Sequence, residues 1–120
     1  MNIHGTITVV KNREDGTNIL VVDDEKEIAD LLEIYLISDG FQVLKAYSAK
    51  EGLRILEEKK IDLVLLDVMM PDMSGFEVSQ KLKADPEAAH IPIIFLTALN
   101  STADIVKGFQ VGGNDFISKP

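Results

Sequence analysis

Apolar residues in this chain gather in short runs, and between the runs they recur at helical spacing. ILVV (19–22), FQVLKAY (41–47), IDLVLLD (61–67), IPIIFLT (91–97) and DFISK (115–119) are the runs. Near-continuous apolar runs of this length predict strands buried on both faces. After the first, Ile28, Leu31, Leu32, Tyr35 and Leu36 fall at i, i+3, i+4, i+7 and i+8, one face of a helix that Gly40 ends. Ser48 with Glu51 three residues later is a capping box, opening a helix with Ala49, Leu53 and Leu56 inward and the charges EEKK at its end. Gly75 to Ala84 predicts a third helix anchored by Phe76, Val78 and Leu82 and broken at Asp85-Pro86. Ser101 or Thr102 opens a fourth, carrying Ile105, Val106 and Phe109, which Gly112-Gly113 stop. Five strands alternating with four helices predict a doubly wound α/β domain, a parallel sheet with right-handed crossovers and helices on both faces.

Composition narrows the function classes. At 120 residues there is one domain with a real core. No apolar run approaches the roughly 18 residues of a membrane helix, and no secretory layout precedes the domain. The absence of cysteine excludes disulfides and thiolate metal sites, and a cytoplasmic location is expected. A net charge of −8 argues against a nucleic-acid surface on this domain. Residues 1–17 read as an extension or linker and 18–120 as the domain, although the β-branched stretch Ile3–Val10 has strand character.

In a doubly wound sheet, ligands sit outside the carboxyl ends of the strands. Those ends carry Asp23 and Asp24 (strand 1), Tyr47 and Ser48 (strand 2), Asp67 (strand 3), Thr97 (strand 4) and Lys119 (strand 5). One lysine does not neutralise three clustered carboxylates, each close pair of which costs about 4 kcal/mol at an effective dielectric near 20. An all-oxygen site without His or Cys suits Mg²⁺. The remainder then reads as a phosphoryl site, with Asp67 as nucleophile, the metal and Lys119 neutralising phosphoryl oxygens and Thr97 donating a hydrogen bond. Asp24 has a competing role as a cap of the first helix. His4 and His90, neither near a strand end, read as surface residues.

The combination resembles the receiver domain of two-component response regulators. VVDDE (21–25), LLDVMMPDMSG (65–75), LTA (96–98) and DFISKP (115–120) match its motifs in order, type and spacing, from Thr17 to Pro120. The resemblance implies a flavodoxin-like strand order 2-1-3-4-5. Asp67 is then the acceptor of a phosphoryl group from a phosphohistidine on a histidine kinase or phosphotransfer protein. Asp23, Asp24, Asp67 and the backbone carbonyl of Met69 hold Mg²⁺. Thr97, the backbone amide of Ala98 and Lys119 contact the phosphoryl group. Phe116 pairs with Thr97 as an aromatic switch acting on an output domain or partner, and the Lys119–Pro120 peptide is cis. The apolar side chains of Met69 and Leu99 offer no group to orient an attacking water, which predicts slow loss of the phosphoryl group.

The chain departs from the family in ending at Pro120, before the usual fifth helix. The expected remedies are cover by Ile3, Ile7 and Val9 of the extension, a homodimer, or exchange of an element between protomers. HGTITVV with Gly16-Thr17 loosely resembles the end of a histidine-kinase ATP-binding domain, which would make the chain part of a hybrid kinase. A Mg²⁺-dependent aspartyl-phosphate phosphohydrolase of the haloacid dehalogenase type uses similar parts, but Met69 stands where that enzyme has its acid. A flavin binder is disfavoured because Asp23, Asp24 and Glu25 would repel a phosphate at the first loop.

Overall fold

The computed structural model describes residues 16–98 and 102–119. Along the chain these form β1 (Asn18–Val22), α1 (Lys26–Ser38), β2 (Gln42–Ala46), α2 (Ala49–Glu58), β3 (Leu63–Asp67), α3 (Gly75–Ala84), β4 (Ile93–Thr97), α4 (Thr102–Gln110) and β5 (Asp115–Ser118). The strands make one sheet in the order β2-β1-β3-β4-β5, with every pairing parallel. The expected α/β class and flavodoxin-like order are therefore both present, and no fifth helix follows β5 within the described residues. The N-terminal extension up to residue 15, including His4, lies outside the described residues, as do Leu99, Ser101 and the Lys119–Pro120 peptide.

Alternate residues of each strand feed two cores. Leu20, Val22, Val64, Leu66, Ile93 and Phe95 join Phe76, Val78 and Leu82 of α3 and Ala49 of α2 on one face. Ile19, Val21, Leu63, Leu65, Ile94 and Leu96 join Ala29, Leu32 and Leu36 of α1 on the other. The central strands β1 and β3 bury apolar side chains on both faces, which is why their sequences show no polar alternation.

Local signals end the helices where the sequence predicts. Gly40, at φ +92°, lets Phe41 and Gly40 return their N–H groups to the carbonyls of Leu36 and Ile37. This is a Schellman turn, and Phe41 packs with Leu36 in the core beneath it. Gly112, at φ +101°, closes α4 in the same way. Ser48 caps α2 by accepting the N–H of Glu51 at 3.1 Å.

The buried stripe of α1 corrects the expected one. Ala29, Leu32 and Leu36 are buried, whereas Leu31 and Tyr35 are exposed together with Ile34 and Ile37. The apolar sector of this helix is wider than the face that touches the sheet. Lys45 of β2 pairs with Asp30 and Glu33 at 2.8 and 3.0 Å, tying α1 to the sheet edge. Ile105, Val106 and Phe109 of α4 are likewise exposed, and it is Gly108 that packs inward, against the ring of Phe116.

Candidate functional site

Parallel register brings the acids together. Val22 pairs with Leu66, so the next residues, Asp23 and Asp67, stand level at adjacent strand ends. The N–H of Asp23 donates to the carbonyl of Ala46 and that of Val68 to the carbonyl of Leu96, carrying the ladder just past the acids. On the far side, Lys119 donates its N–H to the carbonyl of Thr97 at 3.0 Å, extending the β4–β5 pairing to the lysine. Residues nearly a hundred positions apart thus meet at one sheet edge.

The cluster is tight and mostly dry. Asp23 is fully buried, Asp67 is 2% exposed and Thr97 is buried, while Asp24 is exposed. The Lys119 ammonium lies 3.0 Å from Asp23 Oδ2, 3.1 Å from Asp67 Oδ1 and 2.8 Å from Glu25 Oε1. Its side chain is only 9% exposed, so burial works against its charge, but the carboxylates of Glu25, Asp23 and Asp67 outweigh this and hold its pKa above the ordinary value. Asp67 is pushed up to about 7, first by burial and then by the Asp23 charge, with Lys119 offsetting part of the rise.

The geometry has room for a cation. Carboxylate oxygens of Asp23, Asp24 and Asp67, one from each, lie within 4.8 Å of one another. Asp67 Oδ2 and Asp23 Oδ2 are buried and take part in no hydrogen bond, although the latter is within ion-pair distance of Lys119. Two buried carboxylate oxygens without a hydrogen bond, together with one from the exposed Asp24, are a donor set that fits a hard divalent ion.

Most of the expected residues converge here. Asp23, Asp24, Asp67, Thr97 and Lys119 stand at the strand ends as anticipated. Asp24 does not cap α1; the cap position belongs to Glu25, whose side chain makes no cap hydrogen bond. Met69 is exposed beside the site and donates its N–H to Asp67 Oδ1 at 3.3 Å. Phe116 is packed inward, 5.3 Å from the Phe95 ring and 5.4 Å from that of Phe109. Tyr47 instead donates its hydroxyl to Asp30 at 3.0 Å, on the flank of α1. His90 is exposed, in keeping with a surface role.

Two residues that the sequence pattern does not single out belong to the site's surroundings. Glu25 reads as an ordinary first-turn acid, yet it makes the shortest contact to Lys119. Asp72 reads as a loop acid, yet its carboxylate accepts the N–H groups of Ala49 and Lys50 at 3.2 and 3.0 Å, tying the loop after β3 to the start of α2.

Five parallel strands in the order 2-1-3-4-5, alternating with helices, make a CheY-like receiver fold, with an acidic cluster and a lysine at its strand ends. The family model for the response regulator receiver domain matches residues 19–120. The chain belongs to the response regulator receiver domain family of two-component signalling, whose members are signalling domains. It is 43% identical over 102 residues to regulatory protein VanR of Enterococcus faecium, an alignment covering 85% of this chain and 43% of VanR. Chemotaxis protein CheY4 of Vibrio cholerae superposes with a TM-score of 0.84 at 28% identity, covering 88% of each chain. The signal receiver domain of a histidine kinase from Syntrophus aciditrophicus superposes at 0.80 with 35% identity, covering 88% of this chain and 80% of that one. The chain spans less than half the length of VanR. Receiver domains generally bind Mg²⁺ at an acidic pocket, and Asp23, Asp24 and Asp67 form such a pocket here. Among the described residues no helix is long and apolar enough to cross a membrane.

Proposed function

We propose that the chain is a phosphoacceptor module in which Asp67 takes a phosphoryl group from a phosphohistidine on a histidine kinase or phosphotransfer protein. An oxygen of Asp67 attacks phosphorus, the N–P bond of the donor breaks, and the imidazole leaves with its electron pair. The observation that carries this reading is the buried Asp67 carboxylate, with one orphaned oxygen and the other against Lys119. A buried acid in this setting is costly unless chemistry or pairing uses it.

Mg²⁺ would be held by Asp23, Asp24, Asp67 and the backbone carbonyl of Met69, supplying positive charge to the phosphoryl oxygens. Lys119 holds a second positive charge against them, and its burial strengthens that interaction by excluding water. Thr97 and the backbone amide of Ala98 donate hydrogen bonds to the same oxygens. Movement of Thr97 toward the new charge opens space behind it, and Phe116, facing the same side of the sheet, repacks against α4. Local charge then biases a surface that an output domain or partner reads.

Residues 18–120 form the module and residues 1–17 lead into it, in a protein located in the cytoplasm. The likeness to a kinase-borne receiver supports a hybrid histidine kinase as one parent. The exposed Leu31, Ile34 and Tyr35 on α1 support a homodimer or exchange of an element between protomers, which sedimentation at micromolar concentration tests. For the central reading, the protein is incubated with Mg²⁺ and phosphoramidate or acetyl phosphate and weighed intact. A stoichiometric gain of one phosphoryl group, absent in Asp67→Asn, is expected. Repeated release of phosphate from small esters would instead indicate the phosphohydrolase.

A further inference from the structure

Lys119 meets three acids, and one of them stands apart from the proposed metal site. The ammonium has three protons and faces Asp23, Asp67 and Glu25, with Glu25 Oε1 nearest at 2.8 Å. Asp23 is fully buried and Asp67 nearly so, whereas the Glu25 side chain is 59% exposed. Glu25 also occupies the cap position of α1, where Ser, Thr, Asp or Asn would satisfy a backbone donor. Its side chain leaves that duty undone and reaches a lysine 94 residues away.

We infer that Glu25 is a positioning residue that competes with the phosphoryl group for Lys119, holding the ammonium on its own carboxylate until Asp67 is loaded. This deepens the phosphoacceptor reading and rests on it. A phosphoryl group on Asp67 adds oxygens that need Lys119, whose three protons already have partners. Of those partners, only Glu25 is both exposed and outside the metal-binding set, so it gives up the ammonium at the least cost in desolvation. Glu25 therefore slows loading and weakens the loaded state.

The test uses the whole chain as wild type, Glu25→Gln, Lys119→Met and the double variant. Loading by phosphoramidate at saturating Mg²⁺ is timed by intact mass, and affinity for beryllofluoride with Mg²⁺ is measured by calorimetry. Glu25→Gln is expected to load about two- to five-fold faster than wild type, the scale of one partly exposed ion pair. It is expected to bind beryllofluoride more tightly by a similar factor, and both gains vanish in the Lys119→Met background. Equal or slower loading, or gains that persist without Lys119, overturn the inference. Where Lys119→Met loads too slowly to time, the beryllofluoride affinities decide by the same criterion. A wild type that gains no phosphoryl group sinks the phosphoacceptor reading and this inference together, whereas normal loading with no Glu25→Gln effect sinks this inference alone.

Discussion

Gly75 packs its Cα directly against the carbonyl oxygen of Asp67, leaving no room for a Cβ. The same glycine donates its N–H to the carbonyl of Val68 at 2.8 Å, and Ser74 caps α3 by accepting the N–H of Phe76. The loop after β3 therefore returns onto the strand that presents the acid. Gly75→Ala is expected to cost about 1–3 kcal/mol by overpacking against backbone that has little freedom to move. Because the displaced atoms belong to Asp67 itself, loading by phosphoramidate should fall along with the urea midpoint.

The raised pKa of Asp67 makes it a destabilising residue when no metal is bound. Its folded pKa of about 7 lies above the ordinary 3.8, so its contribution to stability is greatest below pH 4 and is lost as pH rises through 7. In chelator, Asp67→Asn should match wild type near pH 4 and exceed it by on the order of 2–4 kcal/mol at pH 8. Urea denaturation of both proteins across this range is the measurement. A constant difference at all pH values would contradict the assignment.

Mg²⁺ should offset most of that deficit. A ligand that binds only the folded state at a hundredfold excess over its Kd adds about 2.7 kcal/mol. Wild type is expected to gain this on Mg²⁺ addition at pH 8, with most of the gain lost in Asp67→Asn and in Asp24→Asn. Thermal melts with Mg²⁺ and with chelator compare the three proteins.

Asp72 anchors one loop of the site to the N-terminus of α2. Losing its two hydrogen bonds to Ala49 and Lys50 in Asp72→Ala should cost about 1–2 kcal/mol, as for other helix-terminal acceptors. The N–H of Lys50, more than any other group, holds the Asp72 pKa below the ordinary 3.8. Its contribution is therefore present above pH 4 and lost as pH falls through the depressed folded value. The wild-type advantage over Asp72→Ala should accordingly shrink as pH is lowered below 4 in urea titrations.

Met69 is the exposed apolar neighbour of Asp67. With no polar group there to orient water, the loaded protein should lose its phosphoryl group slowly. Met69→Gln is expected to speed that loss about tenfold, less than a positioned acid or base contributes. Decay of the intact-mass signal after removal of the donor measures both rates.

By itself, the sequence determined the alternation of elements and the strand ends on which chemistry gathers. Strands buried on both faces need unbroken apolar runs, and a helix needs its stop, as Gly40 and Gly112 supply. Asp67 was legible because so apolar an approach leaves an acid little reason to be there, and the register of β1 with β3 then sets Asp23 beside it. Tertiary structure decided what periodicity leaves open. The apolar sector of α1 spans Leu31 and Tyr35 as well as Ala29, and only packing on the sheet decided that Ala29, Leu32 and Leu36 are the residues buried. The partner of Lys119 was likewise hidden, because Glu25 reaches it only after five strands are in register. Local pattern reports how a segment meets water. It does not report which distant charge a buried ammonium meets, because that depends on how the sheet places the end of β1 relative to the end of β5.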